Sequence, residues 1–135
     1  MNKKIMCVDD DPYILITIRE LFESEGYEVY AVPTGKDCID ELRNGFKGVI
    51  LMDIMMPVMT GWDTIRQIVN ENLNNGVIIS MLTAKDRPDP DMEDLKDYIK
   101  DYITKPFEPE KLISIVNNYF NNNKFFDNEK FTRVE

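Results

Sequence analysis

The stretch Val49-Ile50-Leu51-Met52-Asp53-Ile54-Met55-Met56-Pro57 constrains the fold more than any other, because a single carboxylate interrupts a run that is otherwise apolar. A strand apolar on both faces belongs inside a parallel sheet with helices above and below, and Gly48 bounds this one upstream. An ionised Asp at the end of such a strand is costly unless a cation or hydrogen bonds meet it there. Pro57 stops the strand. Thr60-Gly61-Trp62-Asp63 then opens a helix, with Thr60 as the cap and Asp63 three residues on. Asp53 therefore falls at a strand-to-loop junction, where α/β proteins place their chemistry. A lone Asp there usually caps something local, so its meaning depends on the rest of the chain.

That rest is an alternation of strands and helices. Lys4 to Val8 reads as a short apolar strand ending in Asp9-Asp10-Asp11-Pro12. A helix follows with Ile14, Leu15, Ile18, Leu21 and Phe22 on one stripe, and Gly26 ends it. Tyr27 to Val32 alternates as a strand; Thr34 caps a second helix, with Asp37 completing a capping box and Gly45 closing it. After the Val49 strand and a helix from Trp62 to about Asn72, Asn74-Asn75-Gly76 turns the chain into a fourth strand, Val77 to Leu82, which ends at Thr83-Ala84. Pro88 and Pro90 delay the next helix until about Asp91. Tyr102-Ile103-Thr104 forms a brief fifth strand that runs into Lys105-Pro106-Phe107. A last helix begins near Pro109 with Leu112, Ile115, Val116, Tyr119 and Phe120 on one face. Strands that alternate with helices pair in parallel, and the crossovers put helices on both sheet faces.

Length and charge narrow the function. A chain of 135 residues builds one core, and the expected division is a domain over residues 1–121 with a tail over 122–135 that carries Phe125, Phe126 and Phe131. The formal net charge of −9 repels a phosphate backbone, so no direct nucleic-acid binding is expected. With no histidine in the chain, Ser-His-Asp catalysis and His-ligated zinc are excluded. Cys7 and Cys38 have no metal-ligand spacing and read as reduced core thiols. Met1-Asn2-Lys3-Lys4 is followed by four apolar residues before Asp9, which predicts no signal peptide. No run approaches spanning length either, so no membrane insertion and a cytoplasmic location are expected.

The residues just past the strand ends form a constellation: Asp9 and Asp10 after the first, Asp53 after the third, Thr83 after the fourth and Lys105 after the fifth. With strand order 2-1-3-4-5, strands one and three flank the switch point and three carboxylates share one pocket. Like charges so close raise one another's pKa, and a hard divalent cation relieves them. Magnesium suits such a pocket because it prefers oxygen ligands, keeps waters and leaves room for phosphate oxygens. Lys105 and Thr83 can meet the remaining phosphoryl oxygens, which leaves Asp53 as an oxygen nucleophile. Each piece alone is weak; the joint order carries the inference.

Val8-Asp9-Asp10-Asp11-Pro12, Met52-Asp53-Ile54-Met55-Met56-Pro57 with Gly61, Leu82-Thr83-Ala84 and Asp101-Tyr102-Ile103-Thr104-Lys105-Pro106-Phe107 together resemble a response regulator receiver domain of two-component signalling. The resemblance implies a flavodoxin-like (βα)5 fold: a doubly wound five-stranded parallel sheet of order 2-1-3-4-5. It implies that Asp53 accepts a phosphoryl group from the phosphohistidine of a sensor histidine kinase or phosphotransfer protein, and that a downstream protein reads the change. It further implies that Asp10, Asp53 and the backbone carbonyl of Met55 hold Mg2+, with Asp9 acting through a water. Thr83 and Lys105 would bind phosphoryl oxygens, the bond before Pro106 would be cis, and Tyr102 would be the aromatic that changes rotamer as Thr83 moves. The resemblance is to a single-domain regulator, with no output domain expected after the last helix, and the chain would catalyse only its own phosphorylation and dephosphorylation.

Two features depart from the family pattern. Tyr98-Ile99-Lys100 stands where receivers usually carry a small pair, so the fourth helix is expected to be short or shifted. Met55 offers no carboxylate or amide to orient a water, so self-hydrolysis is expected to be intermediate or slow. Two rival readings remain. A haloacid-dehalogenase-like phosphatase would want a second Asp where Met55 stands, and a pseudo-receiver would have lost an acid or the lysine, neither of which is lost.

Overall fold

The structure, a computed structural model, describes residues 3–84 and 90–122. Five parallel strands form one sheet in the order β2-β1-β3-β4-β5. They are β1 (Lys4–Val8), β2 (Glu28–Val32), β3 (Gly48–Asp53), β4 (Val77–Thr83) and β5 (Ile99–Thr104). The helices α1 (Pro12–Glu23), α2 (Gly35–Arg43), α3 (Gly61–Asn70) and α4 (Pro109–Asn122) cover both faces, and a 3-10 segment (Pro90–Tyr98) stands between β4 and β5.

Two cores result, one per face. Met6, Val8, Ile50, Met52, Ile79 and Met81 pack under α2 and α3, while Ile5, Cys7, Val49, Leu51, Ile78 and Leu82 pack under α1 and α4. Alternation along each strand makes this division, and β3, buried at every residue, is its centre. Gly48 is required where β3 enters: φ is +147°, and a Cβ there would stand 2.2 Å from the Lys4 carbonyl oxygen.

The sequence signals for helix ends correspond to real caps. Asp11 accepts the Tyr13 N–H at 2.9 Å ahead of Pro12, and Thr60 and Asp63 close a reciprocal capping box at 3.0 and 3.1 Å. At Thr34 only the forward half of the expected box forms, the Asp37 N–H donating to Thr34 Oγ1 at 3.0 Å.

Two expectations need adjustment. The fifth strand begins at Ile99, three residues ahead of the expected Tyr102, because Ile99 is apolar and pairs with Ile79. The element expected from about Asp91 is helical but wound as 3-10, with a kink at Met92. It is pinned by buried Leu95 and by the Arg66 guanidinium, which donates to both Asp94 oxygens at 2.8 and 3.4 Å. Pro88 and the tail phenylalanines Phe125, Phe126 and Phe131 lie outside the described residues. Cys7 and Cys38 are buried free thiols. No helix among the described residues is long and apolar enough to cross a membrane.

Candidate functional site

β1 and β3 are neighbours in register, Val8 opposite Met52, so the residues that follow them, Asp9 and Asp10, emerge beside Asp53. One carboxylate oxygen from each of the three acids lies within 4.8 Å of the others. Asp9 and Asp53 are buried and Asp10 is exposed. β4 continues the rim: Asp53 pairs with Leu82, the Ile54 N–H donates to the Leu82 carbonyl at 3.3 Å, and buried Thr83 is the next residue.

Lys105 enters from the far side. Its backbone N–H donates to the Thr83 carbonyl at 2.8 Å, the Lys105-Pro106 peptide bond is cis, and Nζ lies 2.7 Å from Asp9 Oδ2 and 3.4 Å from Asp53 Oδ1. The five residues expected from the strand ends are thus gathered at one end of the sheet.

The loop beyond Asp53 is held tightly. The Met55 N–H donates to Asp53 Oδ1 at 3.3 Å, and the Gly61 N–H returns to the Ile54 carbonyl at 2.9 Å. A Cβ at Gly61 would stand 2.4 Å from the Asp53 carbonyl oxygen, so glycine lets α3 begin directly against the end of β3. Val58 sits fully exposed in the same loop at φ +67°, a strained backbone for a β-branched residue.

Electrostatics follow from this crowding. Burial first, and the Asp9 charge second, push the Asp53 carboxyl from its ordinary 3.8 up to about 6, against the opposing pull of Lys105. Burial works against the Lys105 ammonium, but its hydrogen bond and charge contacts with Asp9 and Asp53 outweigh that and hold it above its usual range. Among the described residues, three carboxylates share one ammonium and remain under-neutralised. Since every donor in the set is oxygen, the pocket fits a hard divalent cation.

Tyr102 stands apart from the acids. It is half-buried on the α2/α3 side, its ring 6.4 Å from that of buried Trp62. Trp62, whose indole N–H has no hydrogen-bond partner among the described residues, was not singled out by the sequence beyond its place in a helix start. A buried aromatic at a helix start beside a candidate switch tyrosine becomes visible only when β5 is placed beside β4. A second unpredicted group joins Ser80, Tyr119 and Asp101. A serine within the apolar strand Val77–Thr83 was its one legible trace.

Negative charge concentrated at the switch point of a doubly wound sheet, with one ammonium in reach among the described residues, marks a doubly wound α/β protein whose oxygen donors suit a hard cation. Within that class the family is specific: residues 5–117 match the model of the response regulator receiver domain, and the chain belongs to that family of two-component signalling proteins. A CheY-like response regulator receiver domain protein from Methanospirillum hungatei JF-1 has a solved structure of TM-score 0.82 and 45% identity, covering 87% of this chain and 93% of that one. The chemotaxis protein CheY of Thermotoga maritima is 29% identical over 118 residues, 87% of this chain and 97% of that protein. The receiver domain of sensor histidine kinase PA1611 from Pseudomonas aeruginosa PAO1, solved with a magnesium ion coordinated in its active site cleft, has TM-score 0.76 and 27% identity over 90% of this chain and all of that one.

Proposed function

We propose that this chain is the phosphoacceptor switch of a two-component phosphorelay. A carboxylate oxygen of Asp53 attacks the phosphorus of a phosphohistidine on a sensor histidine kinase or phosphotransfer protein; the O–P bond forms, the N–P bond breaks, and the imidazole leaves with the electron pair. The observation that carries this reading is that Asp53 stands with Asp9 and Asp10 within 4.8 Å while Lys105 Nζ lies 3.4 Å from it.

Asp10, Asp53 and the Met55 carbonyl are the groups that would hold Mg2+, with Asp9 acting through a water. Bound there, the ion supplies the positive charge that lets a phosphoryl group approach three carboxylates. Lys105, now on Asp9, is within reach to turn to the phosphoryl oxygens, and the Thr83 hydroxyl serves a second oxygen. Movement of Thr83 toward the phosphoryl group frees space for Tyr102, whose ring position a downstream protein reads. The chain turns over no separate substrate in this reading. Met55, a 77% exposed residue with an apolar side chain, provides no group to activate water as a phosphatase would need. Residues 1–121 act as the receiver domain and 122–135 as an appended tail, in the cytoplasm, with proteins rather than nucleic acid or membrane as partners.

Incubation with acetyl phosphate and Mg2+ followed by intact-mass analysis tests this. A single acid-labile phosphoryl adduct that Asp53→Asn abolishes is expected; no adduct, or an equal one on the variant, overturns the reading.

A further inference from the structure

The register between β4 and β5 breaks at one point. Between Ile79 and Met81, β4 has one residue, Ser80, whereas between their partners Ile99 and Tyr102, β5 has two, Lys100 and Asp101. Ile99 and Tyr102 are three residues apart, yet both pack on the α2/α3 side, while Ile103 packs on the side of α1 and α4. Alternation forbids that in a regular strand, so the extra residue is a β-bulge.

A bulge must be fixed in place, because a register that slips by one residue turns each following side chain to the other face. The fixing group is on α4. The buried Tyr119 hydroxyl donates to Asp101 Oδ2 at 2.5 Å. It has a single proton, so at its 2.7 Å contact with Ser80 Oγ the serine is the donor. The chain Ser80 to Tyr119 to Asp101 thus joins the lone β4 residue at the bulge to one of the two opposite it. Burial and the Asp101 hydrogen bond both raise the Tyr119 phenol above its usual range, which keeps that proton in place.

We infer that Tyr119 is a positioning residue: its hydroxyl locks the β5 bulge and so keeps Tyr102 and Lys105 in register with Thr83. The inference rests on the phosphoacceptor reading above and adds a part to it. Asp101 precedes Tyr102 directly and Lys105 by four residues, and the Lys105 N–H is bonded to the Thr83 carbonyl at 2.8 Å. A slipped bulge takes Tyr102 away from Trp62 and Lys105 Nζ away from Asp9 and Asp53. The carboxylates come from β1 and β3, which the bulge does not touch. The lock therefore separates metal binding from phosphoryl transfer, whereas a tyrosine that only satisfied Ser80 would act through stability alone.

In the 135-residue chain, Tyr119→Phe, Asp101→Ala and Asp101→Asn are compared with wild type in three measurements: acetyl phosphate labelling of Asp53 at saturating Mg2+, Mg2+ affinity by calorimetry, and amide hydrogen exchange. Asp101 is exposed, so its variants report even if Tyr119→Phe folds poorly. Tyr119→Phe and Asp101→Ala are expected to label about tenfold more slowly, the cost of a modest misplacement, with Mg2+ affinity unchanged and faster exchange in β5 but not in β1 or β3. Asp101→Asn, which keeps an acceptor for the Tyr119 hydroxyl, labels at the wild-type rate. Wild-type labelling rates in both disruptive variants, or losses matched by equal losses of Mg2+ affinity, overturn the lock. If the wild type itself takes no label, the phosphoacceptor reading falls, and unchanged β5 exchange in the variants would still overturn the lock separately.

Discussion

β1 and β3 deliver carboxylates to the mouth of the sheet through unbroken register, whereas β4 and β5, whose mutual pairing is broken by a bulge in β5 next to a 3-10 segment, deliver Thr83, Tyr102 and Lys105. The first pair is sealed: β3 is buried throughout, and Asp9 is tied by the Asp11 N–H at 2.9 Å. The second pair borders solvent at β5, and its side chains are half-buried at Tyr102 and Lys105. Fixed charge thus sits on one side and adjustable partners on the other. The switch proposed above needs that division, because its reacting group would have to stay still while the responding groups have somewhere to go.

The comparison can be broken most forcefully at Lys105. Lys105→Ala is expected to slow acetyl phosphate labelling about 10²-fold, near 2.7 kcal/mol of transition-state stabilisation. Calorimetry should show Mg2+ binding at least as tightly, because the ammonium no longer occupies Asp9 and Asp53; weaker Mg2+ binding would mean that the two sides are not independent. Gly61→Ala attacks the sealed side. Its Cβ would stand 2.4 Å from the Asp53 carbonyl oxygen, so the loop must move. A loss of about 2 kcal/mol in denaturant unfolding is expected, together with weaker Mg2+ binding.

A smaller effect comes from the charge of Asp53 itself. Its pKa rises from 3.8 unfolded to about 6 folded, so the folded state keeps a proton that the unfolded state has released. The stability this group confers is complete below about pH 4 and is lost as pH rises through about 6. With a chelator present, Asp53→Asn should therefore be more stable than wild type by about 1–2 kcal/mol at neutral pH, and thermal unfolding should show the gap closing toward about pH 4. A gap that widened on acidification would contradict this sign. The mildest change is Arg66→Ala, which removes an exposed ion pair to Asp94. Melting temperature should hardly move, while amide exchange over residues 92–98 accelerates.

The same division governs what the sequence made legible. Asp9, Asp10 and Asp53 stand at the ends of apolar runs that read as buried parallel strands, so their convergence was legible from position alone. Thr83 and Lys105 were readable because one ends β4 and the other directly follows β5, in the expected order. The bulge was not, since one added residue alters neither composition nor apolar content, and Lys100-Asp101 looks like ordinary solvated charge. The 3-10 winding of Pro90–Tyr98 was signalled only by nearby prolines, which foretell a short helix and not its hydrogen-bond pattern. Tyr119 read as one apolar position of the last helix, because its hydroxyl partners come from strands that sequence spacing does not bring near it.

Trp62 is the only tryptophan in the chain, and its ring lies 6.4 Å from that of Tyr102. The switch proposed above would consequently carry its own optical gauge: rotation of the tyrosine would change the polarity and quenching around the indole, so phosphorylation of Asp53 would be readable as intrinsic fluorescence from unlabelled material.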